Sequence, residues 1–222
     1  MTSEAQRAKD AVVARVRTAL RDVLDKDPAT DVPQYWAYGQ PTPVLDPLET
    51  FIDRLKDYRA HVKRTTEEAE VPALVLACLT DAQATSCCMP PGLDSGWLAE
   101  APSHGIRTYI DDPPLATADL DRISAVVTCC AVCAAETGTI MLDHRPDQGR
   151  RLLTLLPDTH VCVVRDDQVL TDVPEALKRL SPSLKEGRPA TWVSGPSATS
   201  DIELARVEGV HGPRNLYVIV VG

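Results

Sequence analysis

The stretch His160-Val161-Cys162-Val163-Val164 is a short and almost unbroken aliphatic run. Strands that are covered on both faces show this pattern, because the side chains on both of their faces are buried and none needs to be polar. Further runs of this kind follow residue 70, at residues 73–79, 106–110, 125–128, 139–142, 191–194 and 216–221. Together these runs predict the buried strands of one sheet.

Helical patterns fit between several of these strands. They occupy residues 93–100, 117–122, 147–156, 173–180 and 201–208. Strands that alternate with helices favour a mainly parallel sheet with helices on both faces. Residues 71–222 are therefore predicted to form a three-layer α/β/α domain.

The first 70 residues show a different organisation. Apolar residues recur at helical spacing through residues 4–25, and a proline-rich connector follows at residues 28–43. A second helix is predicted to begin at Asp46, with Pro47 in its first position and Glu49 completing a capping box. We predict that residues 1–70 form a helical appendage that packs on the main domain, with a lid or a partner surface as the alternative.

Composition and charge argue against nucleic acid and membranes as partners. The chain has 222 residues and a formal net charge of −9, which disfavours binding to nucleic acid or to an anionic membrane surface. No apolar run approaches the roughly 20 residues that span a bilayer, and the charged N-terminal segment does not resemble a signal peptide. We expect a cytoplasmic protein.

The cysteines raise the question of a metal site. Seven are present, and three of them lie close together at Cys129, Cys130 and Cys133. An odd number without an export signal argues against disulfides, and adjacent cysteines within apolar runs are typical of small buried hydrophobes. We therefore expect no metal on this chain. A tightly bound NAD is not expected either, because the Gly-x-Gly-x-x-Gly fingerprint is absent.

The segment after the run 191–194 predicts a small-anion site. A strand ends near Ser194, and a helix is predicted to begin near Ser200, with Glu203 closing a capping box. Glycine lets a ligand approach the backbone, while hydroxyls and free helix amides attract an anion. The expected ligand-binding residues are Ser194, Gly195, Ser197, Thr199, Ser200 and Asp201. The alternative is a well-capped helix whose hydroxyls satisfy only its own backbone.

A second candidate segment is Glu136-Thr137-Gly138-Thr139, which lies between two buried runs. Burying a carboxylate in such a place costs free energy of folding, so we expect it to be paired with a cation or to serve a function. Glu136 is predicted to be a catalytic base or nucleophile, with a structural ion pair as the equal alternative. Thr137, Gly138 and Thr139 are expected to contribute to ligand binding, with Gly138 at a positive φ.

Two further residues are candidates for the same site. Arg150 is expected to grip a carboxylate or phosphate, the alternative being a solvated face balanced by nearby aspartates. His211 titrates in a range that suits proton transfer, so we predict a catalytic role, with a hydrogen-bonded structural histidine as the alternative.

These segments resemble the lactate-utilization domain family. The resemblance rests on residues 134–140, 148–152, 156–164 and 194–213 and covers about residues 71–222, whereas the cluster at 129–133 departs from the family pattern. It implies the fold shared by ribose-5-phosphate isomerase, glucosamine-6-phosphate deaminase and coenzyme A transferases. It also implies a role in oxidising L-lactate to pyruvate beside iron–sulfur partner proteins.

The resemblance leaves three functions open. The leading one is a subunit without its own iron–sulfur cluster that binds a small carboxylate, while the partners carry the clusters. The second is a stand-alone enzyme, either a sugar-phosphate isomerase or a coenzyme A transferase in which Glu136 of the Glu-x-Gly turn is the nucleophile. The third is a non-catalytic anion-binding assembly module. A homo-oligomer is compatible with all three.

Overall fold

The computed structural model describes residues 4–22, 43–199, 207–209 and 211–222. The chain divides into two compact units, residues 1–38 and residues 39–222. In the first unit the predicted N-terminal helix is present as α1, Glu4–Ala19. Residues 23–25 of that predicted helix lie outside the described part of the chain.

A six-stranded, entirely parallel sheet forms the centre of the second unit. Its strands in chain order are β1 (His61–Thr65), β2 (Ser86–Met89), β3 (Arg107–Ile110), β4 (Ala125–Cys129), β7 (Thr159–Arg165) and β12 (Asn215–Val221). They are arranged in the order β1-β12-β7-β4-β2-β3. The predicted α/β class with a mainly parallel sheet is confirmed.

A smaller sheet of four strands lies beside the parallel one. It comprises β5 (Val132–Ala134), β6 (Thr139–Leu142), β8 (Val169–Leu170) and β9 (Thr191–Val193). Strand β6 pairs antiparallel with both β5 and β9, whereas β5 and β8 are parallel. The runs 139–142 and 191–194 are therefore strands as predicted, but they belong to this second sheet. A short antiparallel pair, β10 (Ala198–Thr199) and β11 (Val207–Glu208), follows β9 in the chain.

Helices and the smaller sheet cover the parallel sheet. Helix α3, Val71–Asp81, packs on one face against Val127, Val161 and Ile219. Helix α2, Pro47–Asp57, packs on the other face together with β6, against the alternate positions of β7 and β12. The short helix α4, Thr117–Leu120, lies further along the parallel sheet, and α5, Val173–Lys185, covers the smaller sheet.

The start of α2 agrees with its predicted signal. The carboxylate of Asp46 accepts a hydrogen bond from the Glu49 amide at 3.1 Å, and Pro47 occupies the first turn. The apolar face of the helix carries Phe51, Ile52 and Leu55, which are buried in the core of residues 39–222. This helix, assigned above to the appendage, thus contributes to the core beneath the sheet.

Three local predictions were wrong. Residues 73–79 are helical because Val71, Val75, Cys78 and Leu79 recur at helical spacing on one buried face, behind Pro72 in the first turn. Residues 93–100 and 147–156 form only short 3₁₀ turns, Ser95–Leu98 and Arg151–Thr154, with another turn at Ala101–His104. Of the predicted helix at 201–208, residues 207–208 belong to strand β11, and residues 201–206 lie outside the described residues.

Candidate functional site

A cavity of about 240 Å³ opens beside the amino ends of β7 and β12. Ligand sites in open parallel sheets usually lie at the carboxyl ends of the strands, so this position is unusual. The volume is below the roughly 300 Å³ at which pockets for drug-sized ligands begin, and it suits a ligand of a few heavy atoms. The lining comprises Arg151, Thr154, His160, residues 191–198, residues 211–213 and Leu216.

Arg151 supplies the positive charge of this cavity. One guanidinium nitrogen donates to the backbone carbonyl of Thr154 at 2.9 Å and to its hydroxyl at 3.2 Å. No carboxylate among the described residues forms an ion pair with it, and burial lowers its pKa. A half-buried cation without a counter-ion is a strong binding group for an anion, since both charges are shielded from water.

His160 faces the same cavity from the second position of β7. Its Nε2 atom lies 2.8 Å from the hydroxyl of Thr128, and the residue is only 1% exposed. Burial, reinforced by the positive charge of Arg151, lowers the pKa of His160 to about 4. The imidazole is therefore neutral at physiological pH and keeps a lone pair on one nitrogen.

The loop after β9 closes another side of the cavity. Gly195 has φ +87°, and a Cβ atom there would lie 2.6 Å from the Cβ of Tyr58, so only glycine fits. The Ser197 hydroxyl accepts a hydrogen bond from the backbone amide of His211 at 3.0 Å. This bond brings the two predicted segments around Ser197 and His211 together at one cavity.

The turn between β5 and β6 joins that loop through hydroxyl groups. The Thr139 hydroxyl lies 2.8 Å from the Ser194 hydroxyl and 2.7 Å from that of Thr137. Gly138 has φ +60°, as predicted, and a Cβ atom there would come within 2.7 Å of the Arg54 Cβ. The two predicted loops are thus adjacent, and both lie against the carboxyl-terminal half of α2 and the residue that caps it, Tyr58.

Glu136 is placed differently from its neighbours. Its carbonyl accepts a hydrogen bond from Arg54 Nε at 3.1 Å, and its amide donates to the Thr171 carbonyl at 3.0 Å. Its side chain is exposed and does not line the cavity of Arg151 and His160. The backbone of Glu136 therefore fixes the turn, and its catalytic role stays a prediction.

Arg150 is held by a carboxylate of this chain. It donates to both oxygens of Asp111, at 2.7 and 2.9 Å, and to the Leu115 carbonyl. Burial opposes ionisation of Asp111, but the bonds from Arg150 outweigh it, so the Asp111 pKa is lowered. The bidentate grip expected of Arg150 is thus made with Asp111, and Arg150 is not part of the cavity lining.

The remaining predicted ligand residues lie at the edge of the described chain. The backbone of Thr199 belongs to β10, while Ser200 and Asp201 lie outside the described residues, as does Glu203. Their expected part in anion binding stays a prediction.

The cavity residues that the sequence analysis missed include Arg151, Thr154 and His160. Arg151 was visible beside Arg150, but Arg150 has an extended backbone (φ −73°, ψ 155°) and precedes the 3₁₀ turn that Arg151 begins, and only Arg151 lines the cavity. His160 was treated as part of an apolar strand. The feature that could have identified it as a site residue is its titratable side chain at the start of an otherwise aliphatic run.

A larger cavity of about 480 Å³ lies at the carboxyl ends of β4 and β7. Its cation, Arg165, is already paired with Glu68 at 2.5 Å. Arg165 is therefore less available than Arg151 to bind an anionic ligand. Within the described ranges, no group of three or more His, Cys, Asp or Glu residues is arranged to hold a metal ion. No helix among those ranges is both long and apolar enough to cross a bilayer.

Comparison with known proteins gives consistent matches. The LUD domain family matches residues 48–221. The chain is 50% identical over 187 residues to lactate utilization protein C of Deinococcus radiodurans, covering 83% of this chain and 85% of that protein. It is 29% identical to lactate utilization protein C of Geobacillus kaustophilus, over 59% of this chain and 57% of that protein. A crystal structure of a DUF162 family protein from D. radiodurans is similar, with a TM-score of 0.67, 43% identity and coverage of 82% of this chain and 100% of that chain.

Proposed function

This chain belongs to the LUD domain family, and on that premise we propose that it acts in lactate utilization by binding a small carboxylate in the cavity at Arg151. Relatives named lactate utilization protein C support the metabolic role. The observation that carries the binding role is the half-buried Arg151 guanidinium, which has no carboxylate partner among the described residues.

The lining of the cavity suits a short carboxylate. Arg151 neutralises the charge, and the hydroxyl of Ser197, which lines the same space and accepts from the His211 amide, keeps its proton for a carboxylate oxygen. Val193 and Leu216 provide apolar walls for a short carbon chain. A polyanion such as a nucleoside triphosphate is disfavoured, because Arg151 is the one Lys or Arg side chain among the described residues that line the cavity.

The proposal assigns the electron transfer to other proteins. We expect iron–sulfur partner proteins to accept the electrons when L-lactate is oxidised to pyruvate, with this chain binding the acid. Its described cysteines are consistent with this division: all seven are buried and free, and burial raises the pKa of Cys129 to about 12. Thiols of this kind serve as apolar core residues.

Calorimetric titration with L-lactate tests the binding role. We expect a single site on the wild-type protein and at least a tenfold loss of affinity in Arg151→Gln, equivalent to about 1.4 kcal/mol. Arg188→Gln is the matched control, because Arg188 is an exposed arginine that pairs with Glu186 at 3.3 Å. Equal affinities in all three proteins would contradict the assignment of Arg151.

A genetic experiment tests the metabolic role. Deletion of the gene should abolish growth on L-lactate, and the wild-type gene should restore it while the Arg151→Gln gene should not. Pull-down of the tagged protein from lactate-grown cells should recover proteins that carry iron–sulfur clusters. Normal growth of the deletion strain on L-lactate would remove this function.

A further inference from the structure

We infer that a further cavity, at the amino ends of β2 and β3, binds a phosphate group through Arg107 and Arg122. This cavity has a volume of about 340 Å³ and shares no lining residue with the cavity that contains Arg151. It is therefore a second anion site. The inference goes beyond the proposed function and does not depend on it.

The pairing of β2 with β3 places several polar side chains of the two strands on one face. The strands are parallel, with Ser86 opposite Arg107 and Cys88 opposite Tyr109. Side chains at alternate positions of a strand point to the same face, and so do those of directly paired residues. Residues 115–123 cover this face, because their apolar side chains pack against Cys88 and Tyr109. The cavity lies between this covering segment and the strands.

Two arginines supply positive charge to this cavity. Arg107 begins β3 and Arg122 lies just before β4. Within the described ranges neither guanidinium forms an ion pair or a hydrogen bond, although the chain contains 32 acidic residues. Charged side chains also protect edge strands such as β3 from pairing with other chains, but Arg122 is not on a strand. Two guanidinium groups at one cavity favour a ligand with more than one negative charge.

Ser86 adds a buried hydrogen-bond donor. The Ser124 hydroxyl oxygen accepts from the backbone amides of Thr85 and Ser86, at 3.1 and 3.0 Å, which occupies both of its lone pairs. The Ser86 hydroxyl oxygen accepts from the Ser124 amide at 3.1 Å. The proton of the Ser86 hydroxyl thus has no acceptor among the described residues. Since Ser86 is 1% exposed and lines the cavity, this proton is available to a ligand there.

The polar lining matches the acceptors of a phosphate group. The Tyr109 hydroxyl makes no hydrogen bond in the described part of the chain, so it is another available donor. A phosphate monoester carries a charge of about −1.5 to −2 near pH 7 and three strong acceptor oxygens. It can accept from both guanidinium groups and from the two hydroxyls. Asp119 is the acidic residue of the lining, and its exposure to water weakens its repulsion of an anion.

The rest of the cavity suits an organic group. Leu115, Ile123 and the ring of Tyr109 line it, and its volume exceeds the roughly 300 Å³ at which pockets for drug-sized ligands begin. A phosphate group alone leaves this apolar part empty. The shared chemistry is therefore a phosphate group, either free or at the end of an ester, and the two sources are separated by experiment.

Calorimetric titration with inorganic phosphate tests the site. We expect binding to the wild-type protein and at least a tenfold loss of affinity in the double variant Arg107→Gln/Arg122→Gln, because two charged donors are removed. Arg15→Gln/Arg17→Gln is the matched control: it changes the net charge equally, and both arginines are exposed on α1. This control and Arg151→Gln should bind phosphate as the wild-type protein does. Equal losses in the two double variants, a loss in Arg151→Gln, or no binding to the wild-type protein would overturn the inference.

Two further ligands define the class and the source. Acetate carries one negative charge and should bind at least tenfold more weakly than phosphate, whereas equal affinities of acetate and phosphate would contradict the class. Phenyl phosphate should bind more tightly than inorganic phosphate if the ligand is an ester, because its ring can pack on Leu115 and Ile123. Equal affinities of phenyl phosphate and inorganic phosphate would assign the site to free phosphate. In both cases the loss in Arg107→Gln/Arg122→Gln should be the same.

Discussion

The hydroxyl of Thr139 lies 2.8 Å from the hydroxyl of Ser194 and joins the turn of the β5–β6 hairpin to the loop after β9. The two residues are 55 positions apart in the chain, yet this contact holds two segments with glycine at positive φ side by side. Ser194 also lines the cavity that contains Arg151. The hairpin therefore supports the cavity without lining it.

The strength of this contact can be measured by a double-mutant cycle. Thr139→Val keeps the shape of the buried side chain and removes its hydroxyl, which should lower the free energy of unfolding by about 1 kcal/mol. Ser194→Ala should cost less, because Ser194 is exposed. Urea unfolding of both single variants and of the double variant should give a coupling of about 0.5–1 kcal/mol. Strictly additive effects would show that the two hydroxyls do not stabilise each other.

Gly195 is expected to be intolerant of any side chain. Gly195→Ala would force a Cβ atom to 2.6 Å from the Tyr58 Cβ at φ +87°, and it should cost about 1–3 kcal/mol of stability. Gly187→Ala is the matched control: its φ is +80°, but nothing lies within 4 Å of the added atom. The difference between the two variants in urea unfolding isolates the contact with Tyr58. Equal losses would mean that the backbone conformation alone demands glycine.

Much of the fold could be predicted because local patterns agreed with tertiary burial. The run 160–164 forms the core of β7, which has parallel neighbours on both sides, and Asp46 caps α2 as its sequence indicated. The segment 73–79 was assigned wrongly because its positions beside the fully buried face, such as Leu74 and Leu76, are also apolar and partly buried. A uniformly apolar run of this length does not distinguish a buried strand from a buried helix.

The candidate site was only partly predictable, because side-chain direction depends on tertiary structure. Ser197 and His211 meet at one cavity as expected. Choosing between Arg150 and Arg151 required the 3₁₀ turn and the position of Asp111, which is 39 residues distant from Arg150. The polar role of His160 depends on a cavity that forms only when β7 and β12 pair, so no local pattern reveals it.

Glu136 offers a test of the coenzyme A transferase alternative. Incubation with an acyl-coenzyme A followed by borohydride would leave a mass change on a carboxylate nucleophile. We expect mass spectrometry to find Glu136 unmodified, since its exposed carboxylate lies outside the lining of the Arg151 cavity. Likewise, Glu136→Gln should bind L-lactate as the wild-type protein does. A stoichiometric mass change at Glu136, from reduction of its coenzyme A thioester to an alcohol with release of coenzyme A, would restore the transferase function.

The ion pair between Arg150 and Asp111 should make stability depend on pH in a defined direction. The Asp111 pKa is lower in the folded protein than its ordinary value of about 3.9, although burial alone would raise it. The pair therefore stabilises the fold fully above that ordinary value, and the stabilisation is lost as pH falls through the folded pKa. At pH 7, Asp111→Asn should lose about 2 kcal/mol, less than the 3–5 kcal/mol of a fully buried pair because Arg150 is partly exposed.

Urea unfolding from pH 7 down to pH 3 checks this dependence. The difference between wild-type and Asp111→Asn should stay constant above about pH 5 and shrink below about pH 4, because protonated Asp111 no longer attracts Arg150. Glu186→Gln is the matched control: it breaks an exposed pair with Arg188 and should cost no more than about 0.5 kcal/mol at any of these pH values. A difference that persists undiminished at pH 3 would show that Asp111 stabilises the fold through its shape and hydrogen bonds, with no contribution from its charge.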